Sequence, residues 1–167
     1  MRIAENAKAM AKLSSGLITF KKSLQEIEKW IRACCEEIQQ SLRLHHIQIH
    51  VPKNIPRIAF DFSLMTILLR HLLINAIEYS PPHSTIEIEA EVFDSNFILS
   101  VSDEGKGIPE DTINLVFEKF YRVEGTVSTG LGLGLSIVKS IADIHHGTIT
   151  VHNRETGGTK FSLILPL

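Results

Sequence analysis

Apolar residues recur along this chain at two spacings, and the switches between them mark its elements. Ile3, Ala7, Met10 and Leu13 repeat at helical spacing until Ser14-Ser15-Gly16 breaks the pattern, so a short helix is expected to end there. A brief extended piece over 17–22 leads to a second helix expected from about Leu24 to Leu44. Ile27, Trp30, Ile31, Cys34 and Ile38 form its core-facing stripe. Ile47, Ile49 and Val51 then alternate with polar neighbours as a strand does, and Pro52 and Pro56 bracket the loop that follows. A third helix is expected over 61–79. Ser80-Pro81-Pro82 terminates it, because neither proline can donate to the helical ladder. Residues 86–92 and 97–101 read as an antiparallel pair of strands joined around Asp94-Ser95-Asn96.

Beyond the second strand the pattern loosens. A short helix is expected near Asp111 to Val116, and the region between Gly107 and Gly130 has few residues to pack with, which suits a mobile lid. A helix opened by glycines runs to about His145, where Gly147 is expected to stop it. Strands over 148–153 and 159–165 complete a mixed sheet.

With 167 residues, 44% hydrophobic and 22% charged, the chain can bury one substantial core. Its formal charge of −2 offers no basic footprint, so nucleic acid is not an expected partner. Cys34 and Cys35 are neighbours on a helix, where their side chains diverge, and they read as reduced thiols. The most apolar stretch, 60–77, carries Asp61, Arg70, His71 and Asn75, which a lipid-facing helix would not tolerate cheaply. Neither a membrane span nor a secretory signal is expected.

Three motifs carry chemistry. Asn75 stands among Leu68, Leu69, Leu72, Leu73, Ala76 and Ile77, and shares one helix face with His71 and Tyr79, Glu78 being adjacent. Its amide oxygen can serve Mg²⁺, which takes its other oxygens from water and phosphates; the alternative is an asparagine hydrogen-bonded within the core. Asp103 follows a strand and precedes Gly105 and Gly107, glycines that let the backbone approach a flat ring. A carboxylate only accepts hydrogen bonds, so it matches the exocyclic amine of adenine and opposes the carbonyl of guanine; a tight surface turn is the alternative. Gly130-Leu131-Gly132-Leu133-Gly134-Leu135 opens a helix, whose free N–H groups and dipole favour phosphate. The spacing is neither the Walker pattern nor the dinucleotide fingerprint, and a structural glycine turn is the alternative.

Taken in order, Asn75, Asp103-x-Gly105-x-Gly107, Phe117-Glu118-Lys119-Phe120-Tyr121-Arg122, Gly130 to Leu135 and Gly157-Gly158-Thr159 resemble the motif boxes of the catalytic ATP-binding domain of sensor histidine kinases. Leu13-Ser14-Ser15-Gly16 with Lys21-Lys22, and Gly147-Thr148-Ile149-Thr150 with Asn153-Arg154, resemble the potassium-responsive, Kdp-type members. The resemblance implies an α+β, two-layer α/β sandwich (the Bergerat ATP-binding fold), its mixed sheet covered by three main helices. It also implies two segments: 1–22 as the end of a dimerisation helix with a linker strand, and 23–167 as the catalytic domain.

The implied cofactors are ATP and Mg²⁺. Asn75 falls on the metal-binding asparagine, Asp103 on the adenine-binding aspartate, and Tyr79 on an aromatic beside the nucleotide. Arg122 falls on an arginine that reaches the γ-phosphate. Gly105, Gly107, Phe120, Tyr121, the Gly130 to Leu135 turn and Thr159 complete the implied nucleotide contacts, with Phe117 and Phe120 anchoring the lid. His71, paired with Arg122 as the implied catalytic set, stands where the family usually carries asparagine and the related hydrolases a glutamate. Glu78 stands where a lysine or arginine often meets the phosphates, and Leu131 where threonine or serine is common.

None of His45, His46, His50, His83, His145 or His146 has the acidic-flanked setting of the family's phosphoacceptor. Neighbouring side chains in the His45-His46 and His145-His146 pairs point apart, which argues against metal ligation. The implied partners are therefore a dimerisation hairpin bearing the acceptor histidine and a response regulator. The parent is expected to be a homodimeric inner-membrane sensor with this domain on the cytoplasmic side. The alternative is an interaction module whose nucleotide site has decayed, motivated by His71 and Glu78. An ATP-hydrolysing machine lacks its glutamate.

Overall fold

The computed structural model describes residues 11, 19–123 and 131–167. Most of the first expected helix, Gly130 and the rest of the expected lid tail lie outside the described residues. In order, the elements are β1 (Lys22–Gln25), α1 (Ile27–Glu37), α2 (Gln39–Leu42), β2 (His46–His50), β3 (Ile58–Asp61), α3 (Phe62–Tyr79), β4 (Thr85–Phe93) and β5 (Asn96–Ser102). A 3-10 turn (Ile113–Leu115), α4 (Gly134–Ile144), β6 (Thr148–Asn153) and β7 (Thr159–Pro166) follow.

Five strands form a mixed sheet in the order β2-β4-β5-β7-β6, with β2 parallel to β4 and the other pairs antiparallel. Period-two alternation sorts its faces. Ile86 and Ile88 of β4, Leu99 and Val101 of β5, and Phe161 and Leu163 of β7 are buried against the helices. Glu87, Glu89 and Lys160 lie on the opposite face, where Lys160 pairs with Glu89. From the helical layer, Ile27, Trp30 and Ile31 of α1, Leu68, Leu69, Leu72 and Leu73 of α3, and Ile137, Val138 and Ile141 of α4 meet the sheet in one core. Each such side chain, fully buried, contributes about 1.5–3 kcal/mol. The result is the expected α+β two-layer sandwich.

The differences from the sequence expectations are local. Leu24 does not begin a helix; it belongs to β1, which pairs antiparallel with β3 in a separate two-stranded ribbon. β3 itself is only four residues long and abuts α3, so it offers too few alternations to register as a strand. The second helix breaks at Ile38, whose φ of −116° is not helical, giving α1 and α2 in place of one helix. The helix expected near 111–116 is a single 3-10 turn. At the end of α4 the left-handed residue is His146 (φ 58°), not Gly147. Gly147 answers a different need: a Cβ there would lie 2.3 Å from Leu165 Cδ2 and 2.6 Å from the Ile164 carbonyl oxygen. The Asp94–Ser95 link matches expectation, with both residues at positive φ, the backbone that fits the twist of a two-residue hairpin.

Two devices hold the frame around the third helix. Asp61 caps α3 by accepting from Leu64 N–H (3.0 Å), and its other oxygen accepts from Lys21 N–H (2.9 Å). His145, 3% exposed at the end of α4, accepts through Nε2 from Asp61 N–H (3.1 Å) while Nδ1 sits 2.8 Å from the Ile141 carbonyl oxygen. Both nitrogens are used only by the neutral ring protonated at Nδ1. The second device is the turn between β6 and β7. Gly157 and Gly158 both have φ near +90°, and a Cβ on Gly158 would lie 1.9 Å from the Asp103 carbonyl oxygen, whereas one on Gly157 would meet nothing within 4 Å.

Burial pushes the His145 imidazolium below the usual histidine range. The folded state therefore resists the proton that the unfolded chain accepts, so stability is full above about pH 6.5 and falls as pH drops through that value. Thermal melts from pH 7.5 to 5 are expected to show this loss, and His145→Gln is expected to flatten it. The turn glycines should separate as well. Gly157→Ala is expected to cost about 1–2 kcal/mol from backbone strain alone, and Gly158→Ala about 3 kcal/mol or more, measured by denaturant unfolding.

Candidate functional site

Asp103 is placed by the strand that ends at Ser102. Its backbone N–H donates to the Thr159 carbonyl oxygen (2.9 Å), extending the pairing of β5 with β7 by one residue. Its carboxylate, 2% exposed, accepts at Oδ1 from Gly105 N–H (2.7 Å) and Thr159 N–H (3.3 Å). Both bonds fall on one oxygen, so Oδ2 remains as the acceptor toward the cleft beside it. Burial raises the carboxyl pKa, opposed by those two N–H donors and by the charge of Arg154.

Asn75 and Tyr79 come from the middle and end of α3, one turn apart on one face. Both line two adjoining clefts. The Asn75 amide makes no hydrogen bond among the described residues. His71, one turn earlier, is buried, and its Nδ1 lies 3.4 Å from where a Cβ on Gly134 would stand. It therefore backs the first turn of α4.

The glycine turn enters α4 at Gly134. Among the described residues no side chain caps this terminus, and no acidic residue occupies its first turn, so its N–H groups and dipole favour an anion. Leu131, Gly132, Leu133, Gly134 and Leu135 line the first cleft. Gly132 takes φ 68°, and its carbonyl oxygen accepts from Phe120 N–H (2.9 Å), which clips the turn to the Phe120-Tyr121-Arg122 segment.

The two clefts share Asn75, Tyr79, Val116, Tyr121, Arg122 and Leu135, so they adjoin along a common wall. One end holds Asp103, Gly107 and Thr159; the other holds the α4 terminus, His71 and Glu78. His71, Glu78 and Arg122 are each engaged within the fold.

Most of the expected site residues thus converge. Gly130 lies outside the described residues. Gly105 does not line the space; it acts through its bond to Asp103. Phe120 does not line it either. The residue is 67% exposed and its backbone N–H is held by Gly132, while Phe117 lies edge-on to Phe161 at 6.2 Å. Sequence reasoning missed Ile108, Val116 and Phe161 as apolar lining, and Lys106 beside them. Asn153 entered it only as a mark of the Kdp-type members, although the period of two puts its amide on the same side of β6 as Ile149 and Val151.

Residues 61–167 match the family described as histidine kinase-, DNA gyrase B-, and HSP90-like ATPase. The Sensor protein KdpD of Clostridium acetobutylicum is 32% identical over 169 residues, covering 99% of this chain and 19% of that protein. KdpD of Escherichia coli is 34% identical over 166 residues, covering 99% and 18%. The chain therefore spans about a fifth of these relatives. Among solved structures, full-length ShkA in complex with AMPPNP superposes with a TM-score of 0.85 at 23% identity, over 97% of this chain and 34% of that one. The catalytic domain of histidine kinase ThkA gives 0.75 at 26% identity, over 89% and 97%. No described helix is long and apolar enough to cross a membrane. With more than half of its length matched, and with the fold of histidine kinase catalytic domains, this chain belongs to the histidine kinase-, DNA gyrase B- and HSP90-like ATPase family.

Proposed function

We propose that this domain binds ATP with Mg²⁺ and donates the γ-phosphoryl group to a histidine on a dimerisation hairpin of a Kdp-type sensor kinase. The observation that carries this reading is the pair of adjoining clefts between Asp103 and the α4 terminus, with Asn75 and Arg122 on their shared wall. The adenine amine donates to Asp103 Oδ2, the ring lies along Ile108 and Phe161, and Tyr79 borders the sugar. The triphosphate reaches the N–H groups of Gly134 and Leu135, an anion site by construction.

Asn75 has an oxygen that can serve a hard cation, and among the described residues its amide makes no hydrogen bond that would compete with that use. Bound there, Mg²⁺ would neutralise phosphate charge. Arg122 then supplies a planar cation to the equatorial oxygens of the transferring group as the bond to the leaving ADP oxygen breaks and the bond to the incoming imidazole nitrogen forms. His71 touches no reacting atom in this scheme; it positions the glycine turn. Glu78 lies at the same end, and its negative charge lowers affinity for the triphosphate relative to a cation in that place. ShkA, solved with AMPPNP, shares the fold and supports a nucleotide as ligand. By the same reading the parent is an inner-membrane homodimer with this domain in the cytoplasm, and a response regulator takes the phosphate onward.

Calorimetry with ADP and a non-hydrolysable ATP analogue, with and without Mg²⁺, tests the reading. The wild type is expected to bind both, and no heat at millimolar nucleotide would favour a decayed module. Asn75→Ala is expected to remove the Mg²⁺ dependence of ATP-analogue binding while leaving metal-free ADP binding unchanged. Asp103→Asn presents a donor to the adenine amine and should weaken ADP roughly 10–100-fold, about 1.4–2.8 kcal/mol. The same variant should be more stable than wild type at pH 7. A raised carboxyl pKa makes the native state hold its proton longer, so wild-type stability falls as pH climbs past the unfolded value near 4, a fall the uncharged amide lacks. Melts at pH 7 and pH 3.5 check that sign.

A further inference from the structure

The loop from Asp103 to Ile108 is pinned at both ends by two consecutive residues of the β6–β7 turn that lie outside the cleft. At its start, Arg154 donates from Nη1 to the Asp103 carbonyl oxygen (3.1 Å), with Nη2 3.6 Å from Glu87. At its end, the Asn153 amide forms a closed pair with the backbone of Ile108. Ile108 N–H donates to Asn153 Oδ1 (2.8 Å), and Asn153 Nδ2 donates to the Ile108 carbonyl oxygen (2.7 Å). This pair imitates the exchange of two bonds between paired strand residues. It also sets the height of Gly107, whose missing Cβ would lie 2.8 Å from Asn153 Oδ1. Gly107, Ile108 and Asp103 all line the base end of the space, whereas Asn153 and Arg154 do not.

We propose that Asn153, seconded by Arg154, is a positioning residue for nucleotide recognition: its amide fixes the separation between the Asp103 acceptor and the Ile108 wall, and so the slot into which a purine base slides. The inference rests on the proposed adenine site and deepens it. Asn153 is solvent-exposed at the end of β6, so its removal leaves the core untouched. The loop without it keeps the bonds on Asp103 but loses its second anchor. A base-end defect of this kind weakens every adenine nucleotide by one factor, because the phosphate end is built separately from α4.

The test uses Asn153→Ala and Asn153→Asp in this chain, with ADP, a non-hydrolysable ATP analogue and a GTP analogue by calorimetry, alongside amide hydrogen exchange and melts. Asn153→Ala is expected to weaken ADP and the ATP analogue alike by about tenfold, to narrow the preference over the GTP analogue, and to speed exchange at the Ile108 amide while β5 and β7 amides stay protected. Asn153→Asp, which keeps the acceptor for Ile108 N–H and loses the donor, should fall between. Unchanged affinity in both variants, with a wild type that binds, overturns the positioning role alone. A loss confined to the triphosphate also overturns it. A wild type that binds neither adenine nucleotide overturns the adenine site itself, and this inference with it.

Discussion

Asp103 is held from three directions, and the cleft takes its shape from that fixation. Its N–H reaches the Thr159 carbonyl oxygen, its Oδ1 takes N–H donors from Gly105 and Thr159, and its own carbonyl oxygen occupies the space that any side chain at residue 158 would fill. A desolvated carboxylate is a poor way to stabilise a protein, and here burial outweighs the donors that favour its charge. Such a group persists where its accepting oxygen is needed more than the stability it forgoes. The two glycines, the β5–β7 pairing and the bonds from Asn153 and Arg154 all serve to keep that one oxygen facing an open space.

The other wall is α3, and its composition follows from having neighbours on nearly every side. Leu68, Leu69, Leu72 and Leu73 are fully buried, so the helix has no broad solvent face and shows little amphipathic contrast. In its C-terminal half His71, Asn75 and Tyr79 recur every fourth residue, with Glu78 beside Tyr79, and those four line the cleft. A polar stripe on a helix otherwise sealed in apolar surroundings needs something polar to face. The α4 terminus, uncapped and free of acidic residues, provides half of it, and a charged ligand would provide the rest.

This contrast is why α3 and its site were legible in the sequence. A long run of leucines broken at helical intervals by His, Asn and Tyr gives both the element and the face, and Ser80-Pro81-Pro82 gives the end. The two hairpins were equally plain, through alternation and through Asp94-Ser95. What escaped were features set by partners distant in sequence. β1 and β3 are four residues each and are extended because they pair with one another, a choice no local window contains. The break at Ile38 depends on the turn into β2, and His146 takes the left-handed position that glycine usually holds, because Gly147 is already required where Leu165 and Ile164 press in. Phe120 was read as an anchor from its motif, yet its backbone does the holding.

The two ends of the cleft are built by different means, and this bears on how a ligand would act on the fold. The base end is a product of the sheet: Thr159 of β7, Asn153 at the end of β6 and Arg154 just after it hold the Asp103 to Ile108 loop, and Thr85 of β4 donates to Glu104 within it. The far end is a helix terminus backed by His71 and clipped to the segment at Phe120 by one backbone bond. Asn75 and Tyr79 stand between them on the most deeply buried helix. A molecule long enough to touch both ends therefore ties sheet to α4 across α3, and its binding energy opposes any separation of the two.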